Sequence, residues 1–277
     1  MLFHSKFKVR VLFSIPVVLS LGIIGSMYWC FLIGFVLLVP LTAWLALFYL
    51  FVHVWIVLML ACLAMTCVTD PGGIPPSYNL LEEESYTHLE EQFLHPDLVQ
   101  LQATFCDKCN SKRPARAHHC SLCERCILRM DHHCPWIGNC VGFYNHRYFT
   151  QFLGYTTSCC IAVAFSCGWM WSQAAVVQWS TLIGAVVACV LSVSIGGLFC
   201  FHLWLIMTNR STLELGPIDT FNVFDLGSCK KNTEVYCGTR WLYYLVPVPV
   251  ALPVSGVHFP ARLRHVSGGV YSVNQLV

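Results

Sequence analysis

The stretch from Val11 to Val68 contains no Asp, Glu, Lys or Arg, and no other feature restricts the fold of this chain as strongly. A helix that crosses a membrane needs about 20 apolar residues, so this stretch is too long for one span and predicts two. Pro40 marks the expected turn between them. We therefore predict a first helix at about residues 11–33 and a second at about 44–67, with both ends of the segment on one side of the membrane.

The composition of the whole chain also indicates a membrane protein. Hydrophobic residues make up 56% of it and charged residues 11%, whereas a typical soluble domain carries about 25% charged residues. Two more apolar runs, at about residues 149–171 and 181–207, bring the number of predicted spans to four. The net charge of +2 is too small to indicate a nucleic-acid partner.

The predicted fold is an α-helical integral membrane protein with four transmembrane helices and a small cysteine-rich cytosolic module between helices 2 and 3. Its expected segments are an N-terminal arm (1–10), helices 1 and 2 (11–67), a loop (68–148) that holds the module (106–147), helices 3 and 4 (149–207) and a C-terminal tail (208–277). All 16 Lys and Arg then lie on one face, which the positive-inside rule places in the cytosol. The first run is too long for a cleaved signal peptide, so we expect it to remain as a span, with both termini cytosolic.

The segment from Cys106 to Cys140 holds seven of the 17 cysteines and four of the 12 histidines. Its Cys-x2-Cys pairs let two thiolates reach one tetrahedral ion, and in the reducing cytosol they favour metal over disulfides. Two four-ligand zinc sites need eight donors, which six cysteines and two histidines can supply. The remaining cysteine is expected to be Cys134, because only this thiol follows an Asp131-His132-His133 run that can supply a base and an orienting group.

The segment resembles the cysteine-rich domain of the DHHC protein S-acyltransferases, often called palmitoyltransferases. The resemblance extends to about residue 240 and includes four motifs outside the cysteines: Asp70-Pro71-Gly72, Pro135-Trp136, GFYNHRYF at 142–149, and Ser211-Thr212-Leu213-Glu214, which is similar to the family's TTxE. Asn232 fits the Asn of the family's short C-terminal motif, whose aromatic residue is replaced here by Cys237.

The resemblance implies two structural Zn²⁺ ions with interleaved ligands. It assigns one ion to Cys106, Cys109, His119 and Cys126, and the other to Cys120, Cys123, His133 and Cys140. Protein donors fill both coordination shells, which leaves no position for water and indicates a structural role.

The resemblance also implies an acyltransferase in which Cys134 is the nucleophile, His132 is the base and Asp131 orients the base. Thr212 is expected to hydrogen-bond Asp131, and Asn232 to support the site. Cys134 would take a long-chain fatty acyl group, such as palmitoyl, from acyl-CoA and pass it to a cysteine of a substrate protein.

The expected partners are the lipid bilayer, acyl-CoA and cytosol-facing proteins with accessible cysteines, and no nucleic acid. Arg113 and Arg116, which match the family's RPxR element, are the candidate ligands of coenzyme A. The expected location is the endomembrane system, at the Golgi or the ER, with the plasma membrane as an alternative.

Two rival functions stay open. A catalytically silent, zinc-bearing membrane adaptor would explain the metal ligands but not the spare Cys134 beside Asp131 and His132. A transporter or channel would fit four spans, although the absence of charge within them argues against it. His53 and His202 lie in apolar runs and could line a polar pocket, while an interfacial position is equally compatible with His202.

Overall fold

The computed structural model describes residues 15–32, 42–76, 78, 103–173, 179–216 and 222–262. The predicted N-terminal arm (1–10), the turn at Pro40 and the last part of the tail lie outside the described residues.

Four apolar helices form the larger part of the fold. They are α1 (Ile15–Phe31), α2 (Ala43–Val68), α3 (His146–Gln173) and α4 (Trp179–Met207). Three spans within the described residues are long and apolar enough to cross a membrane: Ala43–Val68, His146–Ser172 and Thr181–Met207. The helix Ile15–Phe31 is apolar but shorter, at 17 residues. The structure thus supports three of the four predicted spans by length and composition.

Helix α3 is central, because it packs along both α2 and α4 and also contacts α1. Glycine makes the closest approach possible: a Cβ at Gly154 would lie 2.9 Å from the Phe199 ring of α4. The span within α3 is less apolar than those within α2 and α4. Its polar residues bind the C-terminal segment, where Gln151 donates to the carbonyl of Tyr243 at 3.0 Å and Tyr155 to that of Leu245 at 2.6 Å.

The cysteine-rich module is built from three antiparallel hairpins. The first pairs β1 (Thr104–Cys106) with β2 (Ser111–Arg113), and the second pairs β3 (His118–Cys120) with β4 (Arg125–Ile127). The third pairs β5 (His132–Cys134) with β6 (Asn139–Val141), and a 3₁₀ turn at Pro135–Ile137 joins its strands. In register, His119 faces Cys126 and His133 faces Cys140.

Short contacts attach the module to the end of α2. Asp70 pairs with Arg125 at 2.7 Å and accepts a hydrogen bond from the Gly72 backbone at 2.9 Å. Gly72 has φ of +118°, a value that favours glycine, and its carbonyl accepts from Leu128 at 2.8 Å. The Asp-Pro-Gly motif therefore turns the chain out of α2 and also holds the second hairpin.

The chain after α4 folds back over the module. It contains a 3₁₀ turn (Thr212–Glu214), α5 (Cys229–Cys237), α6 (Leu242–Leu245) and an extended segment that reaches residue 262. Phe259 packs edge-on against Phe143, 5.3 Å between ring centroids, and the Arg262 backbone donates to the carbonyl of Val223. The described part of the tail, up to residue 262, thus packs against the module.

Candidate active site and zinc-binding clusters

The first Cys₃His cluster comprises Cys106, Cys109, His119 and Cys126. His119 Nδ1 lies 3.6 Å from Cys106 Sγ and 3.2 Å from Cys109 Sγ, and the Sγ atoms of Cys109 and Cys126 are 3.7 Å apart. Donors around a tetrahedral zinc ion are about 3.5–3.8 Å apart, given its bond lengths of about 2.0–2.3 Å. The four side chains therefore fit a zinc ion.

The second cluster comprises Cys120, Cys123, His133 and Cys140, with the same fit. His133 Nδ1 lies 3.6 Å from Cys120 Sγ and 3.5 Å from both Cys123 Sγ and Cys140 Sγ, and Cys123 and Cys140 are 3.4 Å apart. The structure thus brings together the two interleaved donor sets that the family resemblance implies.

Asn139 fixes the third hairpin to helix α2. Its amide donates to the carbonyls of Thr66, Cys67 and Thr69 at 3.0–3.2 Å, and its side-chain oxygen accepts from the Cys140 backbone at 2.9 Å. The last carbonyls of a helix have no partner within the helix, so one amide here satisfies several of them. This contact places the loop that carries Cys134 directly at the end of α2.

Asp131, His132 and Cys134 form a connected group on this hairpin. His132 Nδ1 lies 2.7 Å from Asp131 Oδ2, and Cys134 follows His132 by two residues in β5, so the two side chains lie on the same face of the strand. Burial opposes a charge on His132, but its interactions with Asp131 and with the Cys134 thiol outweigh it and raise its pKa to about 9. Burial would raise the pKa of Asp131, yet the hydrogen bond from His132 and the positive charge on that ring hold it well below its usual range.

Thr212 contacts Asp131 as expected, through two bonds. Its backbone N–H donates to Asp131 Oδ1 at 2.9 Å, and its hydroxyl donates to the backbone carbonyl of Asp131 at 2.6 Å. The hydroxyl therefore holds the main chain and the backbone amide holds the carboxylate. Asn232, also named from the resemblance, is buried in α5 and bonds Leu226, Met207 and Asp225, which ties the tail to the end of α4.

Arg116 has different partners from those expected of a coenzyme A ligand. Its side chain is buried, and its five N–H donors all have acceptors within the protein: both carboxylate oxygens of Glu214, the side chain and carbonyl of Asn209, and the Tyr236 hydroxyl. No donor of Arg116 remains for a phosphate, which argues against the coenzyme A role expected of this residue. Its ion pair with Glu214 instead holds the 3₁₀ turn that begins at Thr212.

Arg113 stays a candidate, since its side chain is only half-buried and its Nε donates to Thr104 at 2.6 Å, which leaves its terminal nitrogens for other partners. Arg129, by contrast, is fully buried and donates to His146 and to the carbonyl of Arg210.

An apolar cavity of about 350 Å³ extends from Cys134 between the four helices. All four contribute to its wall, for example with Met27, Met59, Phe152 and Ile195. Ser20 and Phe31 of α1 both line it and are 11 residues apart, a distance of about 16 Å along a helix. The cavity is therefore long, and Cys134 is part of its wall.

Sequence reasoning missed the polar cluster behind this site. His202 of α4 is buried, and a ring nitrogen of His202 lies within 4.8 Å of Asp131 and His132 donor atoms. Nδ1 of His202 also lies 3.0 Å from His146 Nε2. The available signal was a histidine within an apolar run, and it did not distinguish a pocket from an interface. His53 lies away from this cluster and bonds Tyr28 at 2.9 Å.

Comparisons with known proteins agree with this site. Residues 99–215 match the family described as DHHC palmitoyltransferase. The chain is 36% identical over 184 residues to Palmitoyltransferase ZDHHC15 of Homo sapiens (62% of this chain, 54% of the relative) and 37% identical over 175 residues to Palmitoyltransferase ZDHHC2 of Homo sapiens (57% and 46%). It thus spans about half the length of these two relatives.

A third relative aligns over nearly the whole chain. Probable protein S-acyltransferase 13 of Arabidopsis thaliana is 33% identical over 263 residues, which are 86% of this chain and 86% of the relative. An alignment of this extent includes the helices as well as the cysteine-rich module. The chain belongs to the DHHC palmitoyltransferase family.

Proposed function

We propose that this protein is a protein S-acyltransferase that moves a long-chain fatty acyl group, such as palmitoyl, from acyl-CoA to cysteines of substrate proteins. The observation that carries the proposal is the position of Cys134. Cys134 lies on the same strand face as His132, which a buried aspartate holds at 2.7 Å, and Cys134 also lines a long apolar cavity. A candidate nucleophile, its base and a site for a fatty chain therefore lie side by side.

The first step forms an acyl-enzyme. Cys134 gives its proton to His132, and the thiolate attacks the carbonyl carbon of the acyl-CoA thioester. The bond from this carbon to the Cys134 sulfur forms, the bond to the coenzyme A sulfur breaks, and the coenzyme A thiolate takes the proton from His132. Asp131 holds the Nδ1 side of His132, so that the other ring nitrogen faces the thiol.

The second step repeats this chemistry with a protein thiol. The substrate cysteine loses its proton to His132 and attacks the acyl carbon, and the Cys134 sulfur leaves and recovers the proton. One thioester is exchanged for another in each step. The protein's task is therefore to position the thiolate and to stabilise charge, and both depend on the fixed third hairpin.

The cavity gives the reason for a membrane site. Each buried CH₂ contributes about 0.8 kcal/mol, so about ten methylenes in the cavity would contribute roughly 8 kcal/mol before ordering costs. Three of the four helices that line it are long and apolar enough to cross a bilayer. We infer that the acyl chain enters among the helices while coenzyme A remains outside, where Arg113 is a candidate phosphate ligand.

We also propose that two zinc ions hold the module. When bound, zinc would close each Cys₃His set and supply folding energy without entering the reaction, because protein donors fill each shell. His133 and Cys140 flank Cys134 in the same hairpin, so the second cluster fixes the backbone beside the nucleophile.

A hydroxylamine-sensitive label tests the proposal. Purified full-length protein is incubated with an alkyne analogue of palmitoyl-CoA, and wild type is compared with Cys134→Ser and with Cys229→Ser, a control at an exposed cysteine. We expect Cys134→Ser to abolish labelling and transfer to a cysteine-containing substrate peptide with zinc content unchanged, and Cys229→Ser to keep both. A silent adaptor predicts no difference among the three proteins.

We further propose that α1 crosses the membrane together with the three longer helices, since 17 apolar residues are the lower limit of a span. Both termini and the module would then face the cytosol, at a Golgi or ER membrane. Protease digestion of sealed vesicles checks this arrangement. A tag at either terminus that resists digestion until detergent is added would contradict it.

A further inference from the structure

Three buried side chains form a hydrogen-bonded row behind the catalytic pair. Arg129 of the module lies 2.7 Å from His146 Nδ1, the first residue of α3. His146 Nε2 lies 3.0 Å from Nδ1 of His202 in α4. A ring nitrogen of His202 lies within 4.8 Å of an Asp131 carboxylate oxygen and of a His132 ring nitrogen. The row therefore connects two helices and the module to the group that we propose as the base.

Arg129 fixes the direction of every hydrogen bond in this row. A guanidinium has only donors, so His146 Nδ1 must accept. The hydrogen of neutral His146 is then on Nε2, which donates to His202 Nδ1, and the hydrogen of His202 is on its Nε2. A charged form of either histidine would place two donors opposite each other. Each ring in the row is thus held as one neutral tautomer.

The same atoms could in principle hold a metal, because Asp131, His132 and His202 offer three donors close together. A histidine that binds a metal through one ring nitrogen donates a hydrogen bond from the other. For His202 this donor would be Nδ1, which instead accepts from His146. The row set by Arg129 therefore opposes a metal at His202.

We propose that His202 is a positioning residue for the Asp131–His132 pair, with Arg129 and His146 selecting the tautomer that presents its Nε2–H to the catalytic side. This inference rests on the proposed function. Asp131 accepts one bond from Thr212 and one from His132, and each carboxylate oxygen has a further lone pair. One bridging water is enough to join His202 Nε2–H to such an oxygen across this separation.

Packing has to be separated from hydrogen bonding, because Phe149 contacts both rings. Its centroid lies 5.0 Å from that of His202 and 5.4 Å from that of His132. His202→Phe keeps a ring in this position but removes the polar atoms. His202→Gln has a smaller apolar surface but keeps an N–H donor near the position of Nε2. His202→Phe therefore keeps the packing and loses the hydrogen bond, whereas His202→Gln keeps the hydrogen bond and loses part of the packing.

The experiment measures single-turnover acyl-enzyme formation at several concentrations of alkyne palmitoyl-CoA, using purified full-length protein. We expect His202→Phe to lower the maximal rate about tenfold to a hundredfold, the size of a small misplacement of a catalytic group, with the half-saturating concentration within about twofold of wild type. His202→Gln should keep at least about a third of the wild-type rate. Both variants should retain the zinc content of wild type.

A second pair tests the origin of the tautomer. His146→Gln can accept from Arg129 and donate to His202, whereas His146→Leu can do neither. We expect His146→Leu to lower the rate and His146→Gln to retain it. If His202→Phe loses its zinc or fails to fold, the two His146 variants still test whether the hydrogen-bonded row positions the Asp131–His132 pair.

Three outcomes would overturn the inference. They are a wild-type rate in His202→Phe, a fall in His202→Gln equal to that of His202→Phe with zinc retained, and inhibition of wild type by added Zn²⁺ that His202→Phe abolishes, which would indicate a metal site instead. Failure of the proposed function is a separate result, since it would be seen in wild type itself, as a label that does not depend on Cys134.

Discussion

The third hairpin of the module differs from the first two at the positions that would bind metal. All three follow one pattern, repeated every 14 residues. The first strand of each ends in a cysteine, at Cys106, Cys120 and Cys134. Each tight turn contains a residue with positive φ, at Asn110, Glu124 and Gly138. The proposed nucleophile therefore occupies the position at which each of the two preceding hairpins has a cysteine of a candidate zinc cluster.

Two changes remove the metal site from the third hairpin. Ile137 stands where the first two hairpins have the second cysteine of the Cys-x2-Cys pair, Cys109 and Cys123. In addition, each of the first two clusters is completed by a histidine and a cysteine of the next hairpin. The third hairpin is followed by helix α3, so no further hairpin supplies these donors.

The consequence is a thiol outside both donor clusters, on a hairpin that the second proposed zinc ion would stabilise. Cys134 packs with Ile137, Val141 and Phe149 in an apolar cluster, and beside the cavity. Its backbone is still held as in a zinc-binding turn, because His133 and Cys140 belong to the second cluster. The comparison suggests a division of roles that we propose: two copies of one structural unit supply metal donors, and the third supplies the nucleophile.

The largest expected effect is a difference in acyl-enzyme formation between variants of the two clusters. Cys140→Ala removes a donor from the cluster that holds the third hairpin, and we expect it to abolish acyl-enzyme formation. Cys109→Ala removes a donor from the first cluster, which contains no residue of that hairpin. It should unfold the first hairpin and lower the zinc content, because structural zinc binding is part of folding, but should leave measurable acylation.

Zinc analysis and the hydroxylamine-sensitive label on the same preparations check this pair. Each variant is expected to lose about one zinc ion per chain, in line with the proposed stoichiometry. Equal activities in the two variants would contradict the special place of the second cluster.

Restoring the missing cysteine should convert the third hairpin towards a metal site. Ile137→Cys creates a Cys-x2-Cys pair with Cys134, and two thiolates at this spacing attract zinc. We expect added micromolar Zn²⁺ to lower acyl-enzyme formation by about tenfold in this variant and to have little effect on wild type, with recovery after chelation.

Ile137→Ala is the matched control, because Ile137 is fully buried and its truncation alone should cost about 2–5 kcal/mol of stability. If Zn²⁺ inhibits Ile137→Ala as strongly as Ile137→Cys, the new thiol is not the cause.

The sequence predicts the apolar helices well and their polar ends less well. Predictions of 44–67 and 181–207 agree within two residues with Ala43–Val68 and Trp179–Met207. Helix α3 begins at His146, three residues earlier than predicted, because its first turn is polar. Arg147 is nevertheless buried, since the carbonyls of Tyr243 and Val248 in the distant tail satisfy it. A hydropathy pattern does not reveal such a contact between residues far apart in sequence.

The site residues could also be predicted only where they are close in sequence. The metal donors and Asp131, His132 and Cys134 lie in one short segment, so their spacing and the family resemblance identify them. Arg116 matches the family's RPxR element, but its partners lie about 90 or more residues away, and only the folded chain shows that Glu214 and Asn209 occupy it. His202 reaches the site from α4 in the same way. Residues that act across the fold therefore need the structure.

The smallest expected effect concerns two histidines at equivalent positions, His118 in the second hairpin and His132 in the third. Ala117 precedes the first and Asp131 the second. Burial and the nearby Arg113 lower the pKa of His118. Burial acts on His132 too, but Asp131 and Cys134 raise its pKa to about 9. The carboxylate of Asp131, in place of the methyl group of Ala117, thus accounts for much of the difference in direction between the two pKa shifts.

This difference predicts a pH dependence of stability. The pKa of His132 is raised above its unfolded value of about 6.5, so its contribution is complete below that pH and is lost as the pH rises through about 9. The lowered pKa of His118 has the opposite effect on stability: it destabilises the folded protein, and only as the pH falls below about 6.5. Between pH 7 and 9, the Tm of wild type should therefore fall because of His132. Asp131→Ala copies the Ala117–His118 arrangement. Its Tm should be lower than that of wild type and should change less with pH over this range. Thermal unfolding of zinc-loaded protein across this range measures both, and parallel profiles would show that Asp131 does not hold the charge on His132.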